Sequence, residues 1–318
     1  MSAPKPTLKI VFLDRATLGV PVRAPKFPHE YKEYQATRVD DIVARLADAE
    51  IAIINKVPMR APSLEKLQKL KLIAVAATGT DVIDKAYCKA HGIAVVNIRN
   101  YAVNTVPEHT LALIFALRRS LIPYVRDVRA GKWQTIDQFC YFDHKIRDIA
   151  GSTLGLVGYG ALGKSVAIRA EALGMKVIAT DVYDFPGKVD LDTILKESDI
   201  VSLHCPLTDG TRNIIGAAEF KKMKQDAILI NTARGGLVDE AALVAALKAG
   251  EIAGAGIDVL TVEPPKQGNV LLAADLPNLI VTPHVAWASV EAMTGLANQL
   301  VDNIEAWVAG TPQNLVQE

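Results

Sequence analysis

Short, nearly continuous apolar runs alternate along the chain with segments whose apolar residues recur at helical spacing. In the first hundred residues the runs are 8–14, 51–55, 71–77 and 93–97. Between the first two runs, Val39, Ile42, Val43 and Leu46 share one helical face. Continuous apolar strands separated by helices predict a parallel sheet covered on both faces.

The pattern changes after residue 100 and then starts again. A long amphipathic helix is predicted from about Asn104 to Leu121, followed by a polar, aromatic stretch at 131–148 that is typical of a loop. Strand and helix alternate again from Ser152 to His284, and a last helix is predicted from Ser289 to Ala309. We therefore predict two α/β units, the second from about residue 100 to 285.

Composition narrows the class of protein. The chain has 318 residues with 35 Lys and Arg against 35 Asp and Glu, so a nucleic-acid or anionic-membrane partner is not expected. Its longest apolar stretch, Leu111–Leu117, is too short for a bilayer, and the first ten residues lack a signal-peptide core. Three scattered cysteines predict neither disulfides nor a metal site, and a reducing, cytoplasmic location is expected.

A glycine motif points to a dinucleotide. The motif GxGxxG follows the apolar run TLGLV and opens a helix, with Gly158, Gly160 and Gly163 as its glycines. These glycines permit a tight turn, a close approach to a pyrophosphate and close packing of helix on strand, while the helix N-terminus offers free N–H groups. The alternative interpretation is a tight turn without a ligand.

A carboxylate at the end of the following strand selects the cofactor. Asp181 comes 18 residues after Gly163, where it is expected to accept hydrogen bonds from ribose hydroxyls and to repel a 2′-phosphate. The next basic residue is Lys188. We predict NAD(H) rather than NADP(H); the alternative is that Asp181 caps a helix.

Three ionisable residues follow later strands of the second unit. Arg234, Glu263 and His284 each lie just beyond a predicted strand, at the edge where ligands bind in open α/β sheets. Histidine suits proton transfer, a carboxylate can fix its tautomer, and a guanidinium can bind a carboxylate in two-pronged fashion. Taken singly, each has a simpler interpretation: a surface charge, a loop carboxylate or a buried histidine.

Five segments together resemble the D-isomer-specific 2-hydroxyacid dehydrogenase family, and the resemblance covers nearly the whole chain. They are VGYGALG, HCPLT, INTARGGLVDE, AGIDVLTVEPP and TPHVAWAS. The resemblance implies two doubly wound parallel-sheet domains: a Rossmann-type NAD domain at 100–285, inserted in a flavodoxin-like substrate domain made of 1–99 and 286–318.

The resemblance also implies roles for individual residues. Arg234, Glu263 and His284 correspond to the substrate-binding arginine, the acid partner and the general acid/base. Cofactor contacts are implied for Gly158, Tyr159, Gly160, Ala161, Leu162, Gly163, Asp181, His204, Cys205, Pro206, Thr211, Thr232, Ala233, Arg234, Asp258 and His284. Substrate contacts are implied for Lys56, Thr78, Gly79, Arg234, His284 and Trp287, although Lys56 also fits a solvated lysine, Thr78 and Gly79 a simple turn, and Trp287 a packing residue.

Within the family, ALRRSL, NYAVNTVPEHT and TPHVAWAS resemble the hydroxypyruvate reductase, or glycerate dehydrogenase, branch. The implied reaction is NADH-dependent reduction of hydroxypyruvate, with glyoxylate as a side substrate. Enzymes for D-lactate and phosphite remain alternatives because they have the same arginine, glutamate and histidine. An enzyme of the 3-phosphoglycerate type remains an alternative as well. A non-catalytic NAD(H) sensor on the same fold is a further alternative.

Aromatic residues in the polar stretch predict an interface. Trp133, Phe139, Tyr141 and Phe142 lie close together between Leu121 and Arg147, and exposed aromatics at this density are typical of protein contacts. The resemblance implies dimers joined through the cofactor domains. We therefore expect a two-fold homodimer in which this segment reaches across.

Overall fold

The computed structural model describes residues 7–316 and divides into two compact units. The first unit comprises the residues up to Ala102 and those from Ala288 onward, and the second unit runs from Val103 to Trp287. These boundaries lie two or three residues after the predicted ones. No helix in the described range is long and apolar enough to cross a bilayer.

The first unit is built on a five-stranded parallel sheet in the order β2-β1-β3-β4-β5. Its strands are β1 (Leu8–Phe12), β2 (His29–Glu33), β3 (Ile51–Ile54), β4 (Leu72–Val75) and β5 (Ala94–Val96). Three short helices lie between them: α1 (Ile42–Leu46), α2 (Ala61–Leu64) and α3 (Lys85–Ala90). The four predicted apolar runs form β1, β3, β4 and β5, and β3 and β4 are buried at every position.

Strand β2 is not predicted by the hydrophobic pattern. Its sequence HEYKE is polar, and four of its five residues are exposed because it lies at the edge of the sheet. An edge strand pairs through its main chain on one side and does not need apolar side chains on both faces.

The second unit contains a six-stranded parallel sheet in the order β11-β10-β9-β8-β6-β7. Its strands are β6 (Thr153–Val157), β7 (Lys176–Thr180), β8 (Ile200–Leu203), β9 (Ile228–Asn231), β10 (Gly254–Ile257) and β11 (Leu279–Val281). Its helices are α4 (Thr105–Arg118), α5 (Leu121–Arg129), α6 (Ala161–Ala172), α7 (Leu191–Glu197), α8 (Ala217–Phe220), α9 (Glu240–Ala249) and α10 (Val270–Ala273). The predicted fold class, with two doubly wound parallel-sheet units, is confirmed.

The direction of strand order reverses at β6, which has β7 on one side and β8 on the other. Loops that leave β6 and β8 therefore diverge to opposite faces of the sheet and open a crevice at their carboxyl ends. The predicted glycine motif occupies this switch point.

The predicted helix at 104–121 is wrong at its end. Helix α4 stops at Arg118, Ser120 has a left-handed backbone with φ of 51°, and α5 begins at Leu121. The Arg147 main-chain N–H donates to the carbonyl of Arg118, and the Ser120 hydroxyl donates to that of Lys145. A segment distant in sequence therefore satisfies the helix end, which the local pattern does not reveal.

The last helix, α11 (Val290–Val308), belongs to the first unit, and its predicted bounds are confirmed within one residue. The Ser289 hydroxyl caps it by accepting a hydrogen bond from Ala292 N at 3.1 Å. At the opposite end, Arg23 forms ion pairs with Asp302 and Glu305 and lowers the pKa of Glu305 to about 2.

Candidate active site

The centre of the candidate site is a histidine–carboxylate pair in the second unit. His284 follows β11, Glu263 follows β10, and the distance from His284 Nδ1 to Glu263 Oε2 is 2.6 Å. The other oxygen of Glu263 accepts a hydrogen bond from Leu260 N at 2.8 Å, which fixes the direction of the carboxylate. Because a carboxylate accepts hydrogen bonds, Nδ1 carries a proton and Nε2 is the ring atom available for chemistry.

A buried carboxylate fixes the main chain that carries His284. Asp258 directly follows β10 and is 1% exposed. Its carboxylate accepts hydrogen bonds from Val285 N and Ala286 N, both at 2.9 Å, and its main-chain carbonyl accepts one from His284 N. These bonds hold His284 at φ of 55°, a left-handed conformation that is uncommon for a residue with a side chain.

A second loop is organised around Asn231, the last residue of β9. Its side chain is fully buried, donates to the Arg234 carbonyl at 2.9 Å and accepts from Ala233 N at 3.1 Å. The Arg234 guanidinium donates in turn to the carbonyl of Ala233 at 2.8 Å. The loop that carries the arginine is thus shaped by one amide side chain.

The arginine loop and the loop that follows β10 touch through their backbones. A Cβ atom at Gly235 would lie 2.0 Å from the carbonyl carbon of Leu260, so no larger residue fits there without displacing a loop. Strands β9, β10 and β11 are also neighbours in the sheet. Arg234, Glu263 and His284 therefore follow adjacent strands at one edge, as expected from the sequence.

The glycine motif forms a tight turn between β6 and α6. Gly158 has φ of 100°, and a Cβ atom there would lie 2.5 Å from Cys205 N. A Cβ atom at Gly163 would lie 2.2 Å from the carbonyl oxygen of Gly158, whereas one at Gly160 would meet nothing within 4 Å. Two glycines therefore close the turn, and the third leaves open space in front of the α6 N-terminus.

Ala161 and Leu162 form the first turn of α6, next to this open space. Tyr159 directly precedes Gly160 in the glycine turn. Tyr159 N donates to Asp181 Oδ2 at 2.6 Å, while Val182 N donates to Oδ1 at 2.7 Å. Each carboxylate oxygen keeps a further lone pair. Asp181 thus ties its strand end to the glycine turn and retains acceptors for a ribose.

The predicted cofactor segment after β8 lies directly against the turn. The nearest atoms to a Cβ at Gly158 belong to His204 and Cys205. Burial lowers the pKa of His204 to about 4 and raises that of Cys205 to about 11, so both side chains are uncharged at neutral pH. The Thr211 hydroxyl donates to the Pro206 carbonyl at 2.7 Å and holds the loop closed.

Trp287 contacts the catalytic loop through its indole. Its Nε1–H donates to the His284 carbonyl at 2.9 Å. The indole N–H of Trp287 is therefore bonded to the main chain. The ring itself remains a candidate wall of the pocket.

In the first unit, the predicted substrate residues lie in loops at the carboxyl ends of β3 and β4. The Thr78 hydroxyl donates to the Ile98 carbonyl at 2.7 Å, and the Asn97 amide donates to the Thr78 carbonyl at 2.8 Å; Gly79 is the next residue. Lys56 has its main-chain N–H 2.6 Å from Asp14 Oδ2. Both loops are anchored through their backbones.

Asp14 is a residue that the sequence interpretation missed. It is 5% exposed, and its carboxylate accepts main-chain hydrogen bonds from Asn55 at 2.9 Å and from Lys56. Burial raises its pKa, and these N–H donors oppose the shift. A polar residue that ends an apolar run was the available signal, as it was for Asn231 at the end of ILIN.

Within residues 7–316, no group of three or more His, Cys, Asp or Glu side chains is arranged to hold a metal ion. The three cysteine thiols are free.

Comparison with known proteins gives a family match over more than half of the chain. Residues 111–286 match the family model described as the D-isomer specific 2-hydroxyacid dehydrogenase, NAD binding domain. This range contains the glycine turn, Arg234, Glu263 and His284.

Full-length relatives are similar to the whole chain. A glycerate dehydrogenase of Methylorubrum extorquens is 68% identical over 98% of this chain and 99% of that protein. A hydroxypyruvate reductase of Blautia hydrogenotrophica is 36% identical over 91% of each chain.

Solved structures agree with the fold. A D-lactate dehydrogenase with NAD+ from Lactobacillus jensenii gives a TM-score of 0.79 at 30% identity, covering 98% of this chain and all of that one. An acyclic imino acid reductase in complex with NADPH and D-Arg gives 0.85 at 32% identity, with the same coverage.

The packing at Gly163 predicts the effect of adding one methyl group. We expect Gly163→Ala to weaken NADH binding by about 10-fold or more, since its Cβ must displace the Gly158 carbonyl and open the turn. The measurement is a fluorescence titration with NADH. Gly174→Ala, at a left-handed glycine on the far side of α6, is the control for general destabilisation. Equal NADH affinities for wild type and Gly163→Ala would contradict the prediction.

Proposed function

Because the chain belongs to the D-isomer-specific 2-hydroxyacid dehydrogenase family, we propose that it reduces hydroxypyruvate to D-glycerate, and glyoxylate to glycolate. It is an NAD-dependent oxidoreductase. The observation that carries the proposal is the His284–Glu263 pair. His284 and Glu263 follow β11 and β10, Arg234 follows the next strand, β9, and the same unit contains the dinucleotide turn. The similarity to a glycerate dehydrogenase over the full length supports the choice of substrate.

The residues of the glycine turn fit NAD. The space above Gly160 admits a pyrophosphate, the α6 N-terminus supplies N–H donors, and Asp181 retains acceptors for the adenosine ribose. When bound, NADH supplies the hydride that reduces the keto carbon. The uncharged His204 and Cys205 would leave the dinucleotide phosphates to main-chain donors.

Proton transfer falls to His284. With Nδ1 held by Glu263, Nε2 is free to give a proton to the oxygen that becomes the hydroxyl, and the carboxylate stabilises the imidazolium before transfer. In the direction of oxidation the same atom takes the proton back. Arg234 provides a guanidinium that can bind the substrate carboxylate and polarise its carbonyl.

Three residues of the first unit are proposed as substrate contacts. Main-chain N–H groups at Thr78 and Gly79 and the Lys56 ammonium would bind the substrate carboxylate, as the family resemblance implies. The anchoring of both loops by side chains, through Asp14 and Asn97, supports preorganised contacts. Trp287 would form an apolar wall beside His284.

The substrate assignment is tested by NADH oxidation with hydroxypyruvate, glyoxylate and pyruvate in parallel. We expect hydroxypyruvate to have the highest kcat/KM, because its terminal hydroxyl gives the pocket one more polar group to recognise. A preference for pyruvate or a larger 2-keto acid would overturn the substrate but not the reaction. Binding of NADH without turnover of any of these acids, and without reduction of NAD+ by phosphite, would indicate a sensor.

The histidine–carboxylate pair predicts the effect of Glu263→Gln. We expect kcat to fall by about 100-fold or more, because an amide cannot stabilise the imidazolium and favours the wrong tautomer. Steady-state kinetics provide the measurement.

Glu240→Gln is a matched control because that carboxylate also accepts a main-chain hydrogen bond, from Thr261, but does not touch His284. NADH affinity is expected to stay unchanged in both variants. A Glu263→Gln enzyme with the wild-type kcat would remove Glu263 from the mechanism.

We propose further that the protein forms a homodimer through the segment 121–147. Phe139 and Phe142 are 89% and 83% exposed, and Trp133 is half exposed. A groove of about 810 Å³ lies beside this segment and is lined in part by Leu117, Ile122 and Ile252. A second copy related by two-fold symmetry would cover the aromatic side chains and the groove at once.

The dimer predicts that Phe139→Ser combined with Phe142→Ser lowers the mass in solution. We expect the wild type to sediment as a dimer at micromolar concentration and the double variant to dissociate, because buried aromatic area stabilises such contacts. Val39→Ser, at an exposed apolar residue of the first unit, serves as the control. A monomeric wild type would contradict the proposal.

The cellular location is proposed to be the reducing cytoplasm. The free thiols of Cys88, Cys140 and Cys205 support this assignment.

A further inference from the structure

One face of helix α4 is bonded to both loops of the candidate site. The Thr105 hydroxyl donates to the Ala286 carbonyl at 3.1 Å, and His109 Nε2 lies 3.0 Å from Thr282 Oγ1. One residue further, the Thr110 and Thr232 hydroxyls lie 3.1 Å apart. Residues 282–286 carry His284, and Thr232 lies two residues before Arg234.

The direction of the hydrogen bonds at Thr282 follows from counting protons. Thr282 Oγ1 is 2.5 Å from Asp258 Oδ1, and a carboxylate oxygen accepts, so the single hydroxyl proton points to Asp258. The hydroxyl oxygen must then accept from His109, which therefore carries its proton on Nε2. The three side chains form a directed chain from His109 through Thr282 to Asp258.

This chain ends at the carboxylate that fixes the catalytic histidine. Asp258 Oδ1 accepts from both Thr282 and Val285 N, and Oδ2 accepts from Ala286 N. His109 Nε2 is also 3.6 Å from Oδ1, so the imidazole faces the carboxylate as well as the hydroxyl. Helix α4 therefore contacts, through His109, the carboxylate that holds the loop of His284.

We infer that His109 is a positioning residue for His284, acting through Thr282 and Asp258. This role rests on the proposed function of His284 as the general acid/base. Without the His109 donor, the Thr282 hydroxyl is free to rotate away from Asp258, and the carboxylate loses one of its fixed neighbours. The left-handed backbone at His284, which depends on these bonds, then relaxes, and Nε2 moves away from the reacting oxygen.

Two substitutions distinguish the hydrogen bond that His109 donates from the volume that its side chain fills. His109→Gln places an amide N–H near the position of Nε2, whereas His109→Leu keeps an apolar side chain of similar size without a donor. We expect His109→Leu to lower kcat by about 10- to 100-fold, since small displacements of a reacting group are costly. His109→Gln is expected to stay within about 3-fold of wild type.

A matched control distinguishes a positioning role of His109 from a purely structural one. Ile114→Ala removes a fully buried side chain from the same helix without touching either loop. We expect it to lower resistance to urea at least as much as His109→Leu while leaving kcat near the wild-type value. The solvent isotope effect on kcat should rise in His109→Leu only, because proton transfer becomes the slow step.

A spectroscopic readout is independent of turnover. In a long-range ¹⁵N–¹H spectrum of the wild-type protein, we expect the neutral His109 ring to be the Nε2–H tautomer. The Nδ1–H tautomer would overturn the directed chain of hydrogen bonds. A His109→Leu enzyme with wild-type kcat and isotope effect would overturn the positioning role of His109.

The test does not depend on which 2-keto acid is the best substrate. If hydroxypyruvate fails in the substrate panel, the variants are compared with whichever acid the wild type reduces, and the proposed substrate alone is rejected. If the wild type reduces none of these acids, the proposed function fails, whereas the tautomer still reports on the chain of hydrogen bonds.

Discussion

The candidate site depends on a buried negative charge. Asp258 is almost completely removed from water, and such a carboxylate is tolerated only when hydrogen-bond donors surround it. Its donors are the main-chain groups of Val285 and Ala286 together with the Thr282 hydroxyl. Because this buried charge must be satisfied by hydrogen bonds, it fixes the conformation of the loop that carries His284.

The same principle recurs at the ends of other strands. Asp14, Asn231 and Asp181 each sit at or just beyond the carboxyl end of a strand and bind main-chain N–H groups of a nearby loop. In each case a short polar side chain replaces the sheet hydrogen bonds that end there. The parallel sheets supply the frame, and these side chains supply the shape of the loops that carry chemistry.

The fold class and the three ionisable residues could be predicted because their signals are local: apolar runs, the glycine motif, and charges just after strands. Strand β2 could not be predicted from the hydrophobic pattern, because an edge strand needs no apolar pattern. The helix break at Ser120 could not be predicted because its partner, Lys145, is distant in sequence. The same holds for the hydrogen bond of His109 with Thr282. Contacts of that kind are set by tertiary packing, which one sequence without its fold does not display.

The polar edge strand has a consequence for how copies of the protein meet. Within residues 7–316, β2 pairs with β1 alone in its sheet, and an edge of this kind is a template for sheet extension between molecules. Its side chains include Glu30, Lys32 and Glu33, and charged residues of this kind hinder the pairing of exposed sheet edges. Replacing these residues with valine and isoleucine, which are typical of strands, would thus produce an edge that favours pairing between molecules. The absence of a readable strand pattern is itself a protection against aggregation.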